Sequence, residues 1–150
     1  WRTECLIEEE EIGVSQIMHN VSQQIRKGIK SDNANKMNYS YNFTFNADSG
    51  SHSDTVITGG VLRTDGSAGG IWTSDNKSLD TTAEYYELRA TGQTLSGTKY
   101  RVSTDGGVVW ISGNLLRTQY AFPTAAKNLK VQVILTSADT QINSLVLLYK

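Results

Sequence analysis

This sequence has a single cysteine, a single proline, almost no net charge and no long apolar run. Each shortage excludes something. Cys5 has no second cysteine to pair with, so no intrachain disulfide forms, and the fold rests on burial and hydrogen bonding; the count leaves the compartment open. Fourteen basic against fifteen acidic side chains give a formal net charge of -1. No long-range field therefore draws the chain to nucleic acid or to an anionic lipid surface, and neither is expected as a partner. No stretch reaches the roughly 20 apolar residues of a membrane span, so no membrane insertion is expected. Catalytic patterns are missing too. His19 and His52 stand alone, and there is no His-x-x-x-His, no phosphate-cradling loop ending in Lys and no nucleophile elbow. No catalytic residue, metal ligand or cofactor is nominated, and the chain is not expected to be an enzyme. Loop carboxylates Asp65, Asp75 and Asp105 are compatible with a structural calcium, but nothing in their spacing indicates one.

What is present is polar and turn-forming. Apolar residues make up 38% and charged ones 19%, both low, and Ser, Thr, Asn and Gly supply the balance. That mixture favours half-exposed strands and turns over long helices. A length of 150 residues suits one ordinary domain. The chain opens on Trp1 without an initiator Met or a signal-like stretch, and is expected to be a piece of a longer polypeptide or a processed product. Asn-x-Ser/Thr sequons at Asn20, Asn38, Asn42 and Asn76 arise readily in so polar a chain and carry little weight.

Hydrophobic periodicity divides the chain in two. Residues 1–36 read as a helical lead-in: Val14, Met18, Val21 and Ile25 keep an a/d rhythm, acidic residues 8–11 come first, and Arg26, Lys27 and Lys30 come last. That helix packs on the domain or on a neighbour, or forms a short oligomeric coiled coil; a strand from Cys5-Leu6-Ile7 is the other reading. Residues 37–150 read as a β-domain. Residues 38–45 alternate polar and aromatic, putting Tyr39, Tyr41, Phe43 and Phe45 on one face. Further strands are expected at 55–58, 61–63, 71–73, 84–89, 98–102, 108–112, 129–135 and 144–149, with Asp105-Gly106-Gly107 turning a hairpin and Pro123 marking a loop. The fold class expected is mostly β: an antiparallel β-sandwich, jelly-roll-like, preceded by one N-terminal α-helix.

Aromatic rings beside polar groups suit sugars, whose apolar ring faces stack while their hydroxyls pair with amides and carboxylates. Trp72, Asp75, Arg117 and Tyr120 are the candidate ligand-binding residues, in or beside loops that also carry Asp65, Asp105 and Gln119. Trp72 reads equally as a core residue; Trp110, on a strand, reads as core.

Residues 103–110, Ser-Thr-Asp-Gly-Gly-Val-Val-Trp, resemble the Asp-box hairpin Ser-x-Asp-x-Gly-x-Thr-Trp, with Val109 in place of the Thr. The resemblance implies a structural role for Ser103, Asp105, Gly107 and Trp110: the Asp braces the turn and the Trp packs beneath it. Sialidases carry several copies and an arginine triad on longer chains, so one copy argues against that family. Residues 98–150 further resemble the C-terminal β-sandwich modules of bacteriophage tail and baseplate proteins. The likeness lies in the Tyr100-Arg101-Val102-Ser103-Thr104-Asp105-Gly106-Gly107 hairpin, the lysine-punctuated strand at 129–135 and the final strand at 144–149. It implies a jelly-roll similar to carbohydrate-binding domains and a non-catalytic part in a tail, fibre or baseplate. A homo-oligomer, by preference a trimer, other virion proteins and a host-surface glycan are then the partners expected. The alternative is a carbohydrate-binding module of a larger extracellular enzyme. Either places the chain in a virion or outside the cell.

Overall fold

The computed structural model describes residues 36–150, so the helix expected over residues 7–25 and the alternative strand at Cys5-Leu6-Ile7 lie outside the described residues. Nine strands follow: β1 Tyr39–Phe43, β2 Ser51–Ser53, β3 Thr55–Thr58, β4 Val61–Thr64, β5 Gly70–Thr73, β6 Lys77–Gln93, β7 Lys99–Ser103, β8 Gln119–Leu135 and β9 Gln141–Tyr149. Every ladder among them is antiparallel. The order is β2-β5-β8-β6-β9-β4-β3, with β1 also on β9 and β7 also on β8. The fold is mostly β and antiparallel.

β8 belongs to two layers. Its first part, as far as Leu129, pairs with β6, while Lys130 onward pairs with β7 and, from Gln132, with β5. The two layers close over one core. Strand alternation supplies it: Leu129, Val131, Val133 and Leu135 are buried while Lys130, Gln132 and Ile134 face outward, half-buried. From β9 come Leu145, Leu147 and Tyr149, and from β6 Leu79, Tyr86 and Leu88. Each such side chain taken out of water contributes about 1.5–3 kcal/mol. Phe43 and Phe45 meet Trp72 edge-on, with centroids 6.4 and 5.3 Å apart, joining the β1 segment to β5 across the core. The aromatic face of residues 38–45 is graded: Tyr39 is 44% exposed but stacks on Tyr149 at 5.3 Å, and Phe43 and Phe45 are buried.

Three sequence expectations change. Pro123 was expected in a loop and lies inside β8, where Ala126 pairs with Ala83 and Ala121 with Tyr85. Residues 122–125 therefore bulge opposite Glu84, and a bulge asks no ladder hydrogen bond of a proline. β6 runs 17 residues rather than over 84–89 alone. Its buried positions Leu79, Ala83, Tyr86 and Leu88 are spaced four, three and two apart across register shifts, which hides the strand from a search for strict alternation. The expected strand at 108–112 reduces to one bridge, Val102 with Ile111. The reason is the turn itself: Asp105 takes the backbone N–H groups of Val108 and Val109 that a longer ladder would need.

Candidate functional site

The hairpin after β7 leads into a concavity beside that strand. Ser103 Oγ donates to Asp105 Oδ1 at 2.7 Å and accepts from Gly107 N–H at 2.9 Å. Asp105 Oδ1 accepts from Val108 N–H at 3.1 Å and Val109 N–H at 2.9 Å. These charge-assisted bonds, that from Val109 foremost and that from Ser103 next, hold the Asp105 carboxyl below its ordinary value. Gly107 sits at φ 97°, a conformation side chains rarely adopt, and a Cβ there would stand 3.3 Å from Trp110. Trp110 is half-buried. Ile111 then exchanges both backbone hydrogen bonds with Val102, at 3.1 and 2.7 Å, and returns the chain alongside β7.

Residues 98–101 and 112–115 form the two walls of a pocket of about 370 Å³. Asn114, 6% exposed, fixes the second wall: its Nδ2 donates to Tyr100 O at 3.0 Å and Ile111 O at 2.8 Å, and its Oδ1 accepts from the Tyr86 hydroxyl. Leu115 projects from this wall, 66% exposed. On the first wall, Lys99 and Arg101 stand two apart along β7 and so share a face. Arg101 Nη1 donates to Gln132 Oε1 at 3.5 Å, and Gln132 Nε2 donates to Thr73 Oγ1 at 3.1 Å, a relay across three strands. The Thr98 hydroxyl is buried without a partner.

The pocket lining contains no carboxylate, histidine or cysteine. Its one titratable hydroxyl, Tyr100, is pushed up to about 12 by burial. Among the described residues, no three His, Cys, Asp or Glu side chains converge on a metal position. His52 lies elsewhere, its Nδ1 2.9 Å from Thr55 Oγ1.

The four residues nominated from sequence separate into two pairs. Trp72 lies on β5, within the strand expected at 71–73, and is 1% exposed; its Nε1 donates to Ser49 O at 2.9 Å. Its ring has no open face for a sugar, which corrects the binding reading of this residue. Asp75 is exposed, and its Oδ2 accepts from Gly50 N–H at 3.3 Å, so this pair braces the turn before β2. The Tyr120 hydroxyl accepts from Leu115 N–H at 3.0 Å and donates to Gly113 O at 3.5 Å, which ties it to the pocket's second wall. Arg117, at φ 61°, donates its backbone N–H to Leu88 O at 2.8 Å and leaves its side chain exposed. No hydrogen bond or ring contact joins the two pairs. Sequence reasoning passed over Thr98, Lys99 and Asn114. The i, i+2 spacing of Lys99 and Arg101 was a usable signal; Asn114 had none, since two of its three partners, Tyr86 and Tyr100, lie 28 and 14 residues away.

No family model matches the sequence, and no curated protein matches it. Among solved structures, the chain is similar to a Podospora anserina GH26-CBM35 β-(1,4)-mannanase, at 15% identity and a TM-score of 0.44, over 74% of this chain and 28% of that one. It is also similar to a CBM35 from Paenibacillus barcinonensis, at 11% identity and TM-score 0.43 over 72% of this chain and 96% of that one. PirA follows at 14% identity and TM-score 0.30, over 77% and 96% of the two chains. At these scores the likeness assigns the chain to no family.

Proposed function

We propose that the chain is a non-catalytic glycan-binding and assembly module of a virion tail, fibre or baseplate. The observation that carries the binding half is the pocket beside β7. It offers a hydroxyl with no partner at Thr98, cations at Lys99 and Arg101, the amide-braced wall of Asn114 and an apolar projection at Leu115, with no carboxylate or histidine among them. Polyols are recognised by such a set: hydroxyl and charged groups pair with their oxygens, and an apolar side chain covers a ring face. The assembly half comes from the sequence resemblance of residues 98–150. A carbohydrate-binding module of a larger extracellular enzyme would use the same pocket, and differs in self-association.

Two measurements test the reading. In native gels cast with soluble polysaccharides, the chain is retarded by at least one of them, and Ser112→Tyr, which fills the pocket from an exposed position, migrates freely. Retardation by none, or equal retardation of the variant, overturns glycan binding at this site. Light scattering separates the settings: a stable trimer supports the virion module, and a monomer supports the enzyme-borne one.

A further inference from the structure

We propose that this pocket selects saccharides bearing an anionic group, a uronate carboxylate or a sulfate ester, held between Arg101 and Lys99. The inference rests on the glycan-binding reading above and adds its ligand class. Three observations carry it. First, the two cations share one face of β7 and form no ion pair; among the described residues the salt bridge is Arg89 with Glu87, elsewhere on β6. Second, the lining holds no carboxylate to neutralise them, so their charge is directed at whatever enters. Third, Arg101 has donors to spare. It spends one of its five N–H donors on Gln132 at 3.5 Å and, half-buried, keeps the others for a ligand.

A guanidinium in that position recognises two oxygens of one anionic group at once, and an ammonium nearby adds a third, mobile contact. In a partly desolvated pocket such bonds outweigh those to neutral hydroxyls. The chain's net charge of -1 supplies no steering from a distance, so the preference is a contact effect and appears in dissociation more than in association. The partnerless Thr98 hydroxyl and exposed Leu115 then read the neighbouring sugar hydroxyl and ring face.

Isothermal titration calorimetry of the whole chain tests this with trigalacturonate, a sulfated heparin-derived disaccharide and neutral mannotriose. One of the two anionic ligands binds at least about ten-fold tighter than mannotriose, and which one it is identifies the anion. The double variant Lys99→Gln, Arg101→Gln loses that preference while melting at the wild-type temperature. Equal affinity for neutral and anionic sugars overturns the anionic selectivity and leaves glycan binding standing. A preference that survives both substitutions overturns its assignment to these residues. No binding of any of the three, together with no retardation in polysaccharide gels, overturns both readings.

Discussion

Replacing Tyr86 by Phe removes a single oxygen, and the structure sets what that costs. The Tyr86 ring stays in place, stacked on Phe122 at 4.4 Å and tilted against Tyr120 at 5.8 Å, so packing is nearly unchanged. What disappears is the donor to Asn114 Oδ1. Asn114 keeps both bonds from Nδ2 to backbone carbonyls, so its side chain cannot turn to find another donor without breaking them. A buried acceptor is thus orphaned, at about 1–3 kcal/mol. For a domain of this size that lowers Tm by roughly 3–12 °C. The assay is thermal and urea unfolding of wild type, Tyr86→Phe, Asn114→Ala and the double variant. The cycle should return a coupling of about 1 kcal/mol or more between the two positions. Since Asn114 holds a pocket wall, Tyr86→Phe should also weaken glycan binding from a distance. A Tyr86→Phe variant as stable as wild type, with additive effects in the cycle, would refute the idea that this bond ties the core to the pocket.

Three further outcomes are expected. The Asp105 carboxyl sits below its ordinary 3.8, so its ionised form stabilises the fold above that pH, and this contribution fades as pH falls through the lower folded value. Asp105→Asn should therefore melt lower than wild type at neutral pH and lose less stability on acidification, and parallel acid profiles for the two would contradict the bracing role. At the alkaline end, burial lifts Tyr86 and Tyr100 from 10.0 to about 12, with Tyr120 adding to the first. Their neutral forms stabilise the fold fully below pH 10, and that contribution is lost as pH rises toward 12. Tyrosinate absorbance should show two late-titrating groups whose ionisation coincides with unfolding; seven tyrosines titrating together near their ordinary value in a folded chain would overturn this. Finally, Gly92 lies at a register shift between β6 and β9, where a Cβ would fall 1.9 Å from Gln141 O. Gly92→Ala should cost about 2–3 kcal/mol in urea unfolding, and a neutral result would mean that the strands part there more easily than the register suggests.

The sequence showed the strands whose alternation is unbroken, and it missed those that bulge. Residues 38–45 and 129–135 alternate cleanly because each faces the core on one side only, and both carry their buried residues where the pattern puts them. The β6 segment from Lys77 to Ala83 alternates in burial, but polar Lys77 and Thr81 share its inward face with Leu79 and Ala83, and the phase then slips between Ala83 and Tyr86, where the register against β8 shifts. Pro123 misled for a related reason. Its prohibition applies to a ladder position, and whether a strand residue sits in the ladder is decided by the opposite strand. The site was half legible. Arg117 and Tyr120 were picked as aromatic and charged groups near loops, and Tyr120 does reach the pocket wall, through its hydroxyl and not as a stacking platform. Trp72 was picked on the same grounds and lies in the core.

Local chemistry settled whatever depends on neighbours in the chain. The want of a disulfide within these 150 residues, the near-zero net charge, the alternation of the regular strands and the tight turn at Asp105-Gly106-Gly107 all follow from residue types and short spacings. Tertiary structure decided everything that depends on what lies opposite. It carried β8 through both layers, and it closed Trp72 under Phe43 and Phe45. It also brought Asn114 to Tyr86, 28 residues away, so that a wall stands against Lys99 and Arg101. The physical reason is that a side chain's exposure and partners are set by non-local packing, and no periodicity along one strand encodes the strand that will cover it.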